Sequence, residues 1–267
     1  MRRAWLIASF FVISAAGRSQ SASQKAEDPA TALQVQLRTA DSSLDGKKFT
    51  NLKEFLDDRE FIVPVDEFIR ARLNENVSPS TLGSELNRSL RLGLRRSWSE
   101  QPAYVLPCCT GSSILVAFTV GRGTASRTVL EVYTAEKGRY RRVLKTTHGL
   151  DGLDLHIAPL GKASAHRLFL VYGPILGAND SISRAYLYRI SGGAITPVWR
   201  MRRTLALSVR VDGNAVEMDY TDGDRYFRLR RPPFEFRDTY VYSGGRFLRT
   251  RHQPIPESSE ASPVRRP

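Results

Sequence analysis

Cysteine, lysine and long apolar runs are all scarce in this chain of 267 residues. It has two cysteines, Cys108 and Cys109, which are adjacent, and only seven lysines. So few cysteines argue against a disulfide-stapled scaffold and against a zinc site, which usually takes four ligands. No window beyond the amino terminus holds about 20 apolar residues, so we expect no transmembrane helix in the mature chain.

Short catalytic signatures are also missing. The chain contains no G-x-S-x-G elbow, no H-E-x-x-H, no S-x-x-K and no phosphate-binding loop. Gly121-Arg122-Gly123 lacks the third glycine of a dinucleotide site. We therefore expect no cofactor and favour a protein that is not an enzyme. A pair of carboxylates acting on a glycosidic bond stays open, because such pairs meet only in the fold.

The amino terminus has the three-part pattern of a secretory signal peptide. Arg2 and Arg3 are basic, residues 4–16 form an uncharged and mostly apolar run, and small residues follow. A helix needs about 20 apolar residues to cross a bilayer, and this run is shorter. The pattern therefore favours a cleaved signal peptide that spans residues 1–17. We expect export to the periplasm or the extracellular medium, with residues 18–28 as a polar linker.

The chain is strongly basic, and arginine supplies most of the positive charge. The formal net charge is +13. Guanidinium groups suit phosphate and carboxylate partners because they donate in a planar fork. In an exported protein this predicts an anionic envelope polymer or another envelope protein as partner, and no nucleic acid. The alternative is that arginine covers the solvent faces of strands and blunts sheet edges.

Residues 29–102 carry a helical pattern. Asp28 followed by Pro29 predicts one helix start. Pro64 or Val65 predicts a second start. After the break at residues 78–80, one apolar helix face is formed by leucines that recur every four residues: Leu82, Leu86, Leu90 and Leu94.

From residue 103 to residue 251 the pattern changes to strands separated by glycine turns. Residues 114–120 and 168–171 are apolar on both faces, which predicts strands buried between neighbours. Glu217 and Asp219 alternate with apolar residues, which predicts that strand 215–220 has one solvent-exposed face. The predicted strands are 103–106, 113–120, 128–134, 140–145, 153–160, 167–172, 185–190, 195–201, 205–211, 215–220, 225–230 and 234–241.

These strands repeat. Tyr133 and Tyr188 are 55 residues apart, and Tyr188 and Tyr242 are 54 apart, each followed by a glycine turn and another strand. We predict three units, near 103–148, 149–203 and 204–251. Four antiparallel strands per unit at this period resemble a propeller blade, a likeness that rests on spacing.

Three units are fewer than the 4–8 blades of a closed propeller. The predicted fold class is therefore mainly β, with antiparallel four-stranded repeats in an open or incomplete array behind a small helical segment. Residues 252–267 are rich in proline and serine and are expected to be a disordered tail.

Cys108 and Cys109 are the redox candidates. A bond between adjacent cysteines is strained, and strain makes a disulfide easier to reduce. Two reduced thiols in a tight turn are the alternative.

Two polar stretches are further site candidates. A metal site would use His148, Asp151, Asp154 and His156; the favoured alternative is a solvated loop with aspartates in turn positions. The longest irregular link within a unit offers a binding loop, because loops on rigid β scaffolds often carry binding residues. Its candidate residues are Asn179, Asp180, Ser181 and Ser183.

Three functions follow from these observations. We favour an exported, non-enzymatic β-repeat module that binds or organises a component of the cell envelope. The first alternative is a secreted hydrolase of polysaccharides or esters that uses carboxylates. The second is a redox-responsive protein governed by the cysteine pair.

Overall fold

The fold is known from a computed structural model, which describes ten segments of the chain. These are residues 28–45, 56–94, 103–109, 111–120, 127–147, 155–161, 167–174, 182–201, 204–222 and 235–255. The predicted signal peptide, strand 225–230 and residues 256–267 lie outside these segments.

Three complete helices form the first part of the described chain: α1 (Pro29–Asp45), α2 (Arg59–Asn74) and α3 (Pro79–Gly93). Helix α1 begins at Pro29, as predicted. In α3 the side chain of Ser78 accepts a hydrogen bond from the backbone of Thr81, and Pro79 takes the first helical position. The four leucines of its predicted face are all buried. None of the described helices is both apolar enough and long enough to cross a membrane.

The predicted helix start at Pro64 or Val65 was wrong. Helix α2 begins at Arg59, five residues before Pro64. The side chain of Asp58 caps the helix by accepting from the backbone nitrogen of Glu60 at 2.9 Å. Phe61 extends the buried face that Val65 continues, so packing favours the earlier start. Pro64 lies within the helix.

Twelve strands follow the helices. They are β1 (Tyr104–Cys108), β2 (Ser113–Val120), β3 (Arg127–Glu136), β4 (Arg139–Thr146), β5 (His156–Leu160), β6 (Leu168–Pro174), β7 (Ile182–Ser191), β8 (Ala194–Arg200), β9 (Thr204–Asp212), β10 (Ala215–Asp222), β11 (Phe236–Ser243) and β12 (Arg246–Pro254). The four-stranded first sheet has the order β1-β2-β3-β4. The second sheet has the order β12-β11-β10-β9-β7-β6-β5, with β8 paired to β7.

All strand pairs are antiparallel, and three apolar cores separate successive layers. The first core joins the helices to one face of the first sheet, through residues such as Leu86 and Phe118. The second joins the other face of that sheet to β5–β8, through Leu115 and Phe169. The third joins β5–β8 to β9–β12. Strands β2 and β6 are therefore buried on both faces, as predicted.

The mainly β fold behind a helical segment is confirmed, but the propeller resemblance is not. The described strands form no closed sheet. Strands β7 and β9 pair only at Ile182–Leu205 and Ser183–Thr204, where the second sheet changes from one group of four strands to the next. The edge strand β12 runs to Pro254 and so includes the first three residues of the predicted tail.

The group of strands β9 to β12 has one solvent-exposed face, as the alternation in β10 predicts. Val216 and Met218 are fully buried in the third core. On the opposite face, Arg237 donates to both carboxylate oxygens of Asp219, at 2.7 and 2.9 Å. Arg210 pairs with Glu217 on the same face. The outermost layer of the fold therefore presents charged side chains to solvent.

Candidate functional site

A polar cluster at the edge of the second sheet surrounds Asp238 on β11. Cross-strand pairing places Met218 of β10 on one side of Asp238 and His252 of β12 on the other. The Asp238 side chain therefore points toward the apolar face of the sheet, and only 1% of it is exposed. A carboxylate buried to this degree needs hydrogen-bond donors.

Four donors meet this carboxylate, and we call the five residues the Asp238 cluster. The hydroxyls of Tyr220 and Tyr240 donate to Oδ2, each at 3.1 Å. Arg249 approaches Oδ2 through Nη1 at 3.4 Å. The Nδ1 atom of His252 lies 2.6 Å from Oδ1. An ionised carboxylate only accepts, so Nδ1 carries a hydrogen and donates it.

Aromatic rings hold the cluster in position. The ring of His252 stacks on Phe236 with centroids 5.2 Å apart, and Phe236 contacts Tyr220 at 5.9 Å. Trp199 of β8 packs edge-on against Tyr240 at 5.0 Å. Burial raises the pKa of Tyr240, and the charge of Asp238 adds to this effect. Tyr240 therefore remains a protonated donor at neutral pH.

Two members of the cluster reach water. The side chains of Arg249 and His252 are 51% and 44% exposed, although both touch the buried Asp238. Since Nδ1 of His252 is hydrogen-bonded to Asp238, the other ring nitrogen, Nε2, lies on the side of the imidazole away from Asp238. The arrangement can offer Nε2 to an acid, a base or an anion from outside the protein.

A second polar cluster lies between α2 and the first sheet. Glu131 of β3 is 98% buried, and it accepts from the Tyr133 hydroxyl at 2.8 Å and from Nη1 of Arg142 at 3.1 Å. Burial raises the pKa of Glu131, against the opposing effects of Arg142 and of the Tyr133 hydrogen bond. Lys145 of β4 donates to the Leu56 carbonyl at 2.5 Å. These contacts join the helical layer to the sheet and make this cluster structural.

The cysteine pair lies at the end of β1. Cys108 is buried in the second core, and Cys109 is half-buried with a φ of 62°. Both thiols are free. Burial, together with the neighbouring Cys109, raises the pKa of the Cys108 thiol. A raised pKa makes Cys108 a poor nucleophile and a poor metal ligand, because the thiolate is the reactive form.

Of the four predicted metal ligands, only His156 lies in a described segment; His148, Asp151 and Asp154 lie outside. The ring of His156 stacks on Tyr172 at 5.3 Å, and its Nδ1 atom lies 3.5 Å from the Tyr104 hydroxyl. Within the ten segments, no three histidine, cysteine, aspartate or glutamate side chains are placed to hold a metal ion.

Of the predicted binding loop, only Ser183 is described; Asn179, Asp180 and Ser181 lie outside. Ser183 belongs to strand β7, is buried, and pairs with Pro174 of β6 and Thr204 of β9. The expectation that Ser183 lies in the loop was wrong, because sheet pairing extends β7 to Ile182.

The Asp238 cluster itself was missed by sequence reasoning. A signal was present, since the two-residue period of β11 places Asp238 on the same face as Tyr240 and Tyr242. An acidic residue on a core-facing row needs partners, and basic residues in the next strand are the nearest source. Glu131 lies in the same way between Val129 and Tyr133.

Comparison with known proteins does not identify the chain. No protein-family model matches it, and no curated protein matches it significantly.

Proposed function

We propose that the protein is an exported, non-enzymatic β-sheet module that binds an anionic polymer of the cell envelope along strand β12. The observation that carries this proposal is the composition and position of that strand. It lies at the edge of the second sheet and contains three arginines, one histidine and no acidic residue. Arg246, Arg249, Arg251 and His252 are all exposed.

The geometry favours a binding role over a purely protective one. Charged residues on an edge strand also prevent sheets from pairing edge to edge, and unordered side chains are enough for that. Here Asp238 holds Arg249 and His252 in place, which lowers the entropy that each would lose on binding a ligand. At about 3.4 Å per residue, the basic strip from Arg246 to His252 is about 20 Å long. Pairing with β11 places Arg249 and His252 on the face of Asp238, and Arg246 and Arg251 on the opposite face. A repeating polymer that lies along the exposed edge can contact basic residues of both faces at several points.

A binding assay with a matched control tests this function. Full-length protein is applied to immobilised polygalacturonate, whose repeating carboxylates are the probe, and to neutral dextran. We expect retention on polygalacturonate alone, lost as salt is raised from 50 to 500 mM. The triple variant Arg246→Gln, Arg249→Gln, Arg251→Gln should lose retention. The control Arg139→Gln, Arg141→Gln, Arg189→Gln removes the same charge elsewhere and should keep most of it. Equal loss in both variants would show non-specific attraction and overturn the proposal.

Export is part of the proposal and has its own test. The basic, apolar and small-residue regions over residues 1–17 support it. Amino-terminal sequencing of protein recovered from the periplasm or the medium should give a start after Ala16 or Gly17, or as late as Ser23. Intact protein found only in the cytoplasm would contradict export.

We further propose that the three groups β1–β4, β5–β8 and β9–β12 are one repeated, blade-like unit. In the first two groups the pairing of the third and fourth strands shifts register at the repeated tyrosine, between Val132 and Tyr133 and between Leu187 and Tyr188. In the third group the register shift lies between Thr239 and Tyr240, two residues before the repeated tyrosine, Tyr242. Each group is a meander, and apolar cores lie between successive groups.

A hydrolase is the second candidate function, favoured by the 2.6 Å contact between His252 and Asp238. A carboxylate that fixes the imidazole tautomer is a common arrangement around a general base. Turnover of a chromogenic ester by the wild-type chain, abolished in His252→Gln, would favour it. Equal background rates in both proteins would leave the binding role alone.

A further inference from the structure

We propose that Arg249 and His252 form a site for a single carboxylate group of the ligand, and that this site binds well only when His252 is protonated. The inference rests on the proposed function, because it identifies the ligand group and the control at one point of strand β12. It starts from the two side chains that are exposed and that also touch Asp238.

The charge of the cluster depends on one proton. With His252 neutral, the negative charge of Asp238 cancels the positive charge of Arg249, and the cluster has no net charge. With His252 protonated, the same residues carry a net charge of +1. The change occurs at the surface, where a ligand can respond to it.

The hydrogen-bonding character of Nε2 changes with the same proton. Since Nδ1 donates to Asp238 at 2.6 Å, the neutral ring has a lone pair on Nε2, which repels a carboxylate oxygen. The protonated ring has an N–H there and donates. Arg249 contacts Asp238 through Nη1, which leaves other guanidinium hydrogens for the ligand. A carboxylate then meets two charge-assisted donors where it previously met one.

Within the described segments, the other groups that face His252 do not obscure this change. Strand β11 contributes Asp238 and Tyr240, and β10 contributes Tyr220. Strand β12 contributes Arg249 on the same face, and this guanidinium stays charged across the working range of pH. Arg251 pairs with Thr239 and lies on the opposite face. Strand β8 meets β12 through Trp199 and Phe247, which are uncharged. His252 is the only histidine among these groups, so substitution of His252 isolates its proton from the other charges.

Calorimetric binding of a galacturonate oligomer to the full chain at pH 8 and at pH 5.5 tests the inference. The carboxylates of the oligomer remain ionised at both values, so the ligand does not change. We expect the wild-type affinity to rise about tenfold at the lower pH, the gain from one charged hydrogen bond. His252→Gln should bind equally at both pH values, at about the wild-type level of pH 8. His252→Lys should bind tightly at both.

His156→Gln is the matched control, because His156 also stacks on an aromatic ring but lies on β5. It should keep the full rise in affinity. A rise that survives in His252→Gln, or an affinity that does not change with pH in the wild type, would overturn this inference and leave the proposed function standing. No binding by the wild type at either pH would overturn both.

Discussion

Tyr133 donates its hydroxyl hydrogen to Oε2 of Glu131 over 2.8 Å, from a position two residues along the same strand. Both side chains are buried in the layer between the helices and the first sheet. The carboxylate is also bound by Arg142 of the neighbouring strand. An acid enclosed in this way makes the stability of the fold depend on pH.

The first prediction concerns this dependence. Burial raises the pKa of Glu131 in the folded protein, so the folded state holds that proton more tightly than the unfolded state does. The contribution of Glu131 to stability is therefore present below the ordinary glutamate pKa of about 4.3 and is lost as pH rises through the higher folded value. Glu131→Gln should remove this part of the slope in urea unfolding experiments. Glu136 is exposed on the same strand, so Glu136→Gln should keep the pH dependence of the unfolding free energy seen in the wild type. The same pH dependence in the wild type and both variants would contradict the burial argument.

The second prediction concerns the close approach of α3 and β1. A Cβ atom on Gly83 would collide with the carbonyl oxygen of Ala103, and the backbone nitrogen of Ala103 donates to the Gly83 carbonyl at 3.2 Å. Gly83→Ala must push helix and strand apart and should cost about 1–3 kcal/mol of unfolding free energy. Gly111→Ala is the control, since no atom lies within 4 Å of its added Cβ. A Gly83→Ala protein as stable as the control would show that the contact is not tight.

The third prediction tests the stacking of layers. Leu187 of β7 is fully buried in the core shared with β9–β12. Leu187→Ala should lower the free energy of unfolding by about 2–5 kcal/mol. Leu248→Ala removes the same atoms from a side chain that is 50% exposed and should change it by about 0.5 kcal/mol or less. Equal small effects in chemical denaturation would mean that the last four strands do not pack on the rest.

The fourth prediction concerns the cysteines. Burial raises the pKa of Cys108, and each unit of pKa lowers the thiolate fraction about tenfold at neutral pH. Cys108 in the Cys109→Ser protein should therefore react with iodoacetamide at least about tenfold more slowly than Cys109 in the Cys108→Ser protein. Both should react alike in guanidinium chloride. Equal native rates, or a mass 2 Da below that of the dithiol in protein from the exported fraction, would revive the redox role.

The local structure of the sheets could be predicted from the sequence. Alternation and glycine turns located β1 to β11, and apolar residues on both faces marked β2 and β6 as buried. The predicted strand ranges did not include β12, and predicted strand 225–230 lies outside the described segments. The partition into two sheets could not be predicted. It depends on the pairing of Ser183 with Thr204, two residues in strands that are not consecutive. Tertiary packing decides such pairs, and no local pattern encodes them.

The candidate site was predictable only in part. The core-facing position of Asp238 follows from strand periodicity, but two of its four donors, Arg249 and His252, lie 11 and 14 residues further along the chain. His252 was assigned to the tail because the prolines and serines that follow it dominate the composition there. Pairing of β12 with β11 extends the strand beyond that boundary. Pairing with β11 and the contacts of Arg249 and His252 with Asp238 therefore include in the fold a segment that composition alone places outside it.

The most direct test of the central claim is to locate the bound polymer on the protein. Amide chemical shifts of the full chain are recorded as a galacturonate oligomer is added at pH 5.5. The account predicts that the largest changes fall on Arg246 to His252 and on Asp238, with little change on β4 or in the helices. Changes confined to β4 or the helical layer, or no change at all, would contradict it.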